Sequence, residues 1–311
     1  MLPGFLRLQA LDCSSRHLAD KPLITRKHYS GPLTDSHRWD AITIRADDII
    51  VVTPPKSGTT WMQTIIALLI TGDPDVEPEL PIKMPWIDIR VRDIDEVAER
   101  LANMPHRRSM KSHTPLDGLP IDDEAQYICV FRHPLDAHFS MRNHVNNIPL
   151  AVFDPWYGEG DKTIFQRFLE GSADGEDCDA MPLAHIIQHF KAAKALSHRS
   201  NVTLFHYADM KRDLAGVFAQ VAKLLDTSHT PKEMEWLRAA ASFDHMKSNA
   251  DRYAPGGGTG FYRSDAAFFE SGSTGKWEGK LSSEELQAYD AMMKGHLSQE
   301  DRRWVEFGSQ A

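Results

Sequence analysis

The chain has 311 residues, with 35 Lys and Arg against 44 Asp and Glu, and so a formal net charge of −9. Its 41% hydrophobic content supplies a substantial core and excludes a disordered chain, while 18 Pro and 19 Gly exclude a collagen-like or low-complexity architecture. The acidic balance argues against general binding of nucleic acid or of an anionic membrane, yet a pocket of local positive charge can still take a phosphorylated small molecule.

The cysteines Cys13, Cys129 and Cys178 are odd in number and widely spaced, without a C-x-x-C pair. That argues against a disulfide framework and against a Cys-built zinc site. Residues 1–11 mix Pro3, Gly4, Arg7 and Gln9 among apolar residues and read as a poor secretory signal. The longest apolar-rich run, 61–70, is about half of the ~20 residues that a membrane-spanning helix needs. A soluble protein of the reducing cytoplasm is the expectation.

In chain order, the β-branched run 49–53 reads as a strand buried on both faces, and Pro54-Pro55 end it because proline cannot donate into a ladder. A polar loop, Lys56-Ser57-Gly58-Thr59-Thr60, leads into a helix over 61–70. Further strands are predicted at 127–131 and 202–205, and helices at 134–145, 183–197, 212–225, 231–241 and 283–296. Strands alternating with helices imply an α/β fold, a parallel sheet covered by helices on both faces. Two stretches break the pattern. Residues 146–179 read as loop, with Phe153, Trp156, Tyr157, Phe165 and Phe168 among Gly and Asp. Residues 250–279 carry Gly256-Gly257-Gly258 and many polar residues. Long irregular stretches of this kind are lids, binding loops or plain surface insertions. No repeat or linker divides the chain, so one domain is expected over 1–311.

The loop at 56–60 supplies a cation, three hydroxyls and a glycine directly before a helix. Backbone N–H groups at a helix N-terminus carry positive partial charge and suit a phosphate, and Gly58 lets the backbone approach it closely. The alternative is a Ser/Thr turn that only caps the helix. The loop is not a Walker A sequence, because its lysine precedes the glycine. No apolar strand ends in an Asp suited to magnesium: the run 127–131 stops at Arg132, and 202–205 at His206.

Thr53-Pro54-Pro55-Lys56-Ser57-Gly58-Thr59-Thr60-Trp61 resembles the 5′-phosphosulfate loop of the cytosolic sulfotransferases, enzymes that move a sulfuryl group from 3′-phosphoadenosine 5′-phosphosulfate (PAPS) to an acceptor. Four further segments resemble that family in order: Lys111-Ser112-His113-Thr114-Pro115, residues 132–140 with Asp136, Phe205-His206-Tyr207-Ala208-Asp209-Met210-Lys211, and Ser242-Phe243-Asp244-His245-Met246-Lys247. The likeness is greatest to the bacterial branch typified by mycobacterial glycolipid sulfotransferases, through Arg38-Trp39-Asp40-Ala41 and the segments 113–119 and 204–209. It covers roughly residues 39–279 and is weaker in the segment 146–179, the expected acceptor lid, whereas 250–279 is the expected donor-binding loop.

The resemblance implies roles. His113 would be the general base, Lys56 would neutralise the bridging oxygen of the donor, and Lys111 would contact the sulfuryl oxygens. Ser140 would hold the 3′-phosphate with Arg132 and restrain Lys56 until the donor is seated. Ser57, Gly58, Thr59 and Thr60 would cradle the 5′-phosphosulfate, with Tyr207, Ser242 and Gly272 completing the donor site. Trp61 and Phe243 would sandwich adenine. PAPS would be a co-substrate and PAP, its desulfated form, the product, with no permanent cofactor and no metal. The acceptor would be a phenol, alcohol or glycolipid hydroxyl.

The chain departs from the family in its last motif. Where the family has Arg-Lys-Gly-x-x-Gly-Asp-Trp-Lys, this chain has Glu270-Ser271-Gly272-Ser273-Thr274-Gly275-Lys276-Trp277-Glu278. Either Glu270 points away, with Lys276 or Arg263 substituting, or donor affinity is reduced. The family's dimer motif has no match at 278–287, so the oligomeric state stays open. Two other readings remain: a nucleotide-dependent phosphotransferase and a non-catalytic PAP-binding protein.

Overall fold

Four parallel strands lie in the order β2-β1-β3-β4: β1 Ile49–Val52, β2 Ser109–Ser112, β3 Gln126–Phe131 and β4 Val202–His206. The computed structural model describes residues 26–75, 80–149, 157–173 and 178–309. Cys13, Phe153, Trp156 and residues 1–11 lie outside the described residues.

The sheet is apolar on both faces because its strands alternate between two cores. Ile50, Val52, Tyr127, Cys129 and Phe131 face one, and Ile49, Val51, Ile128 and Val130 the other. Helix α1, Thr59–Thr71, covers the second face with the helices Leu214–Leu224 and Pro231–Ala240. The first face is covered by Leu183–Leu196, Ser283–His296 and Gln299–Phe307. The α/β architecture read from the sequence is borne out. Chain direction takes β1 to β2 on one side and to β3 on the other, so a crevice opens at the carboxyl ends of β1 and β3, where open parallel sheets bind ligands.

Several elements differ from expectation. The strand β2 is Ser-Met-Lys-Ser, too short and polar to show an apolar run; it is defined by its pairing with β1 and by a single parallel bridge from Trp86 to Lys111 on its other edge. The helices Ile94–Asn103, Asp161–Glu170 and Gln299–Phe307 were also not anticipated. The second of these falls inside the stretch expected to be loop. Its Phe165 and Phe168 are buried in the main core, so they are structural and not part of a lid. The helix expected over 212–225 is Leu214–Leu224, opened by the Asp213 side chain, which accepts from Gly216 N, and a short helix that was not expected, Tyr207–Arg212, precedes it.

The fold buries several histidines in the neutral form. Burial holds His133 and His138 at about 3, and His185 and His206 at about 4. As pH falls through ~6.5, the unfolded chain takes up protons that the folded chain refuses. Their contribution to stability is therefore present above that pH and lost below it. The melting temperature should fall by roughly 5–10 °C between pH 7 and pH 5. A melting temperature flat across that range, followed by intrinsic fluorescence, would contradict this account.

Candidate active site

At the crevice, the chain leaves β1 through Thr53 and turns sharply, with Lys56 at φ 64° and Gly58 at φ 109°. Gly58 is required there, since an added Cβ would sit 3.0 Å from the Tyr207 ring in a backbone region that side chains avoid. The Thr53 and Thr59 hydroxyls close the turn at 2.5 Å. The loop opens onto a cavity of about 1240 Å³.

Of the loop residues singled out from the sequence, Lys56, Gly58, Thr59, Thr60 and Trp61 line this cavity. Ser57 does not: its side chain is fully buried and its hydroxyl has no hydrogen-bond partner. Only its backbone could serve a ligand as the loop stands. Lys111, His113, Arg132, Ser140 and Tyr207 line the same cavity, as do Ser242, Phe243 and Gly272. Segments far apart in sequence thus converge on one hollow. Trp61 is fixed by donation from its Nε1 to Ala241 O at 2.8 Å, and its ring meets Tyr207 edge to face at 5.5 Å.

His113 follows β2. Its Nδ1 donates to the Thr53 carbonyl at 2.8 Å, which can only accept, so the proton sits on Nδ1 and Nε2 keeps its lone pair. The imidazole is thereby tied to the same strand end that carries the Lys56 loop. Burial, with the Lys111 charge next, holds His113 down to about 3. The ring is neutral at ordinary pH and able to accept a proton.

Asp88 carried no signal in the sequence, because it lies in an irregular segment without a motif. It is fully buried and accepts from His113 N at 2.6 Å, from the Ser112 hydroxyl at 2.9 Å, and from Nε1 of Trp39 and Trp86 at 2.6 and 2.9 Å. Burial raises its carboxyl against these donors. It fixes the backbone from which His113 projects, and His189 Nε2 donates to the His113 carbonyl from the other side at 2.9 Å.

Lys56, Lys111, Arg132 and Lys276 are among the cations that line the hollow. Lys56 is depressed to about 7 by burial first and then by the charges of Arg132, Lys276 and Lys111. Lys111 is depressed to about 8, mainly by burial. Their ammonium groups lie over the Phe268 ring at 4.3 Å and the Trp86 ring at 4.8 Å. Arg132 sits 4.5 Å over the Tyr207 ring and donates to Ser273 O at 2.7 Å, while its buried Nε has no hydrogen-bond partner. Crowded, desolvated cations with an unspent donor suit a multiply charged anion such as a phosphate.

The loop at 270–276 departs from the family pattern, and its hydrogen bonds fix where its residues lie. Asp136 accepts from Gly275 N at 3.0 Å and Lys276 N at 2.6 Å, and Tyr207 and Lys211 donate to Gly272 O at 3.1 and 2.8 Å. Gly272, at φ 58°, has no room for a Cβ, which would lie 2.4 Å from the Phe243 ring. Lys276 faces the cavity and pairs with Glu270, whose other carboxylate oxygen accepts from Asn143 Nδ2 at 2.5 Å. Arg263 instead donates to Asn146 O at 3.2 Å and does not line the cavity, so of the two candidates only Lys276 faces it.

A strand–loop–helix at the switch point of a parallel sheet, with imidazole and several cations round it, is the framework of a transferase acting on anionic donors. The chain belongs to the sulfotransferase domain family, whose profile matches residues 46–301. The glycolipid sulfotransferase of Mycobacterium tuberculosis is 34% identical over 286 residues, spanning 84% of this chain and 88% of that protein. In fold the chain is similar to the mouse sulfotransferase SULT7A1 complexed with PAP, with a TM-score of 0.66 and 23% identity over 86% of this chain and 90% of that one. It is also similar to retinol dehydratase in complex with retinol and PAP, with a TM-score of 0.68 and 20% identity over 86% and 87% of the two chains.

Because Lys56 and Lys111 are depressed into the neutral range, seating an anion should pull protons onto them. Calorimetric titration of PAP at pH 8, in buffers of different ionisation heat, should show net proton uptake, and affinity should weaken as pH rises from 7 to 9. Titrations with no proton linkage would show that neither lysine meets the anion.

Proposed function

We propose that this chain transfers a sulfuryl group from PAPS to a hydroxyl carried on a molecule with a large apolar body. The observation that carries the reading is the hydrogen bond from His113 Nδ1 to the Thr53 carbonyl, which points a bare imidazole nitrogen into the same hollow as Lys56. On this reading Arg132, Ser140, Lys276 and Tyr207 hold the donor's 3′-phosphate side, and the loop from Lys56 to Thr60 holds the phosphosulfate. Ser242 and Gly272 shape the wall beside Phe243, which with Trp61 takes the adenine.

The acceptor hydroxyl gives its proton to His113 Nε2 as the new O–S bond forms and the S–O bond to the donor phosphate breaks. Lys56 neutralises the phosphate oxygen that receives the electron pair, and Lys111 faces the sulfuryl oxygens. Such transfer asks the protein for positioning and charge neutralisation more than for covalent chemistry. The depressed value for His113 belongs to the ligand-free site, and the donor's negative charge raises it towards a working base.

The apolar acceptor body is supported by the other half of the cavity. Met84, Trp86, Ile89, Met141, Ile148 and Phe268 line it, and its mouth exposes Ile82 (51%), Val91 (72%) and Phe261 (39%). The name of the mycobacterial relative, glycolipid sulfotransferase, agrees with an acceptor of this kind. We read residues 1–311 as one domain. Cys178 and the segment beside it border the acceptor side, and the loop from 250 to 279 serves both acceptor and donor, since Phe268 and Gly272 both line the cavity. The free, buried thiol of Cys129 supports a cytoplasmic setting, and no described helix is long and apolar enough to cross a membrane.

Incubation with sulfur-35-labelled PAPS and octyl β-D-glucoside should give a sulfated product with a metal chelator present, whereas no transfer of sulfur-35 together with chelator-sensitive transfer of labelled phosphate from ATP would favour the phosphotransferase reading. His113→Ala should lose ~10²–10⁴-fold in turnover with PAP affinity nearly unchanged; turnover near the parent level would remove His113 as the base. Glu270→Gln should release Lys276 to the donor and tighten PAP binding several-fold at low salt, an advantage that shrinks as salt is raised. Unchanged PAP affinity would mean that the Glu270–Lys276 pair does not face the nucleotide.

A further inference from the structure

A second imidazole faces the same chamber without a use in the reaction so far described. His144 lies four residues after Ser140 on the helix Pro134–Asn146, hence on the same helical face, and both line the cavity with Met141. Its ring meets Phe268 edge to face at 5.6 Å, and Lys56 lies over that same Phe268 ring at 4.3 Å. Tyr262, at 5.7 Å, packs on it as well. His144 is thus at the reacting end of the cavity and not at its mouth.

The two nitrogens of His144 are in different situations. Nδ1 is buried and has no hydrogen-bond partner, while Nε2 is the nitrogen left to the cavity. Burial and the charges of Lys56 and Lys111 keep the ring neutral, so it carries one N–H. A buried N–H without an acceptor is the costlier orphan, which puts the proton on Nε2. The chamber then holds two neutral imidazoles of opposite character. His113 presents a bare nitrogen that accepts a proton, and His144 presents an N–H that donates a hydrogen bond. Apolar and aromatic side chains surround the second group, and none of the described residues accepts from it.

We propose that His144 donates to a second oxygen of the acceptor, beside the hydroxyl that His113 deprotonates, and so selects hydroxyls with an oxygen on an adjoining carbon, as in a sugar ring, over isolated alcohols. The proposal rests on the sulfotransferase reading above and names its acceptor class. A site whose polar group needs a partner rejects the analogue that lacks one, because that analogue leaves the group desolvated and unpaired.

The test compares octyl β-D-glucoside, below its micelle concentration, with 1-octanol as acceptors for labelled PAPS. The parent enzyme should prefer the glucoside in kcat/KM. His144→Phe should lose at least ~10-fold with the glucoside and less than about 3-fold with octanol, whereas His144→Gln, which keeps an N–H near the Nε2 position, should recover much of the preference. An equal loss with both acceptors would overturn the proposal, since it would place His144 against the donor or in the cavity wall. Binding of the two compounds to the PAP-saturated protein, followed by calorimetry, gives a readout independent of turnover. If no product forms but the PAP complex binds the glucoside more tightly, and His144→Phe abolishes that difference, the site assignment stands and the catalytic reading fails. If neither turnover nor binding distinguishes the two compounds in a manner that depends on His144, the assignment is wrong.

Discussion

Like-charge crowding at the carboxyl ends of β1, β2 and β3 is the constraint around which this site is arranged. Lys56, Lys111, Arg132 and Lys276 would drive one another apart in a dry cavity. The fold tolerates them in several ways. Lys56 and Lys111 are depressed into a range where each can shed its proton when no anion is present. Lys276 leans on Glu270, and Arg132 lies within 4.0 Å of Asp136. Aromatic faces at Phe268, Trp86 and Tyr207 take part of the remaining charge. On the proposed reading a polyanion would replace these makeshift partners, and the field that destabilises the cations together would favour it.

A second tier of groups holds the first in place, and much of it is carboxylate. Asp88 gathers two tryptophan N–H groups, a serine hydroxyl and the His113 backbone at one buried point. Asp136 gathers the backbone of Gly275 and Lys276, joining the helix after β3 to the glycine-rich loop. Both acids spend their charge on donors of the protein. Neither acid is spent in the cavity, whose lining is rich in cations and apolar side chains with two imidazoles, a balance that suits a donor with several negative charges beside an acceptor with few.

Much of this was legible from residues 49–61 alone. A β-branched run, two prolines and a lysine-bearing polar loop before an apolar helix state a strand–loop–helix in local terms, and short-range sterics carry that statement into the structure. Arg132, Tyr207 and Phe243 were legible through motifs that end a strand or open a helix, where backbone geometry aims the side chain at the crevice. The element that carries Lys111 was not legible as a strand, since four residues of mixed polarity at a sheet edge acquire their conformation from β1 beside them. Phe165 and Phe168 were misread for the reverse reason. Gly160 and Gly171 bracket a helix short enough to pass for loop, and only the surface it packs against makes its aromatic residues core.

The sequence by itself determined the covalent inventory and the local turns: a flexible glycine after a lysine, a histidine two residues beyond another lysine, an arginine at a strand end, and enough β-branched residues for a buried parallel sheet. Which groups meet was decided by tertiary structure. Nothing in the order of residues says that Lys276 neutralises Glu270, that Ser57 turns its hydroxyl inward, or that His144 lines the cavity beside Ser140. Lys276 and Glu270 are only six residues apart, and Ser140 and His144 only four, yet which way each side chain turns depends on distant segments packed around them, such as Asn143 on Glu270 and Phe268 beside His144. These contacts exist because closing the sheet brings the strand ends and their loops into one low-dielectric space, where each charge and each lone pair must find a partner or wait for one.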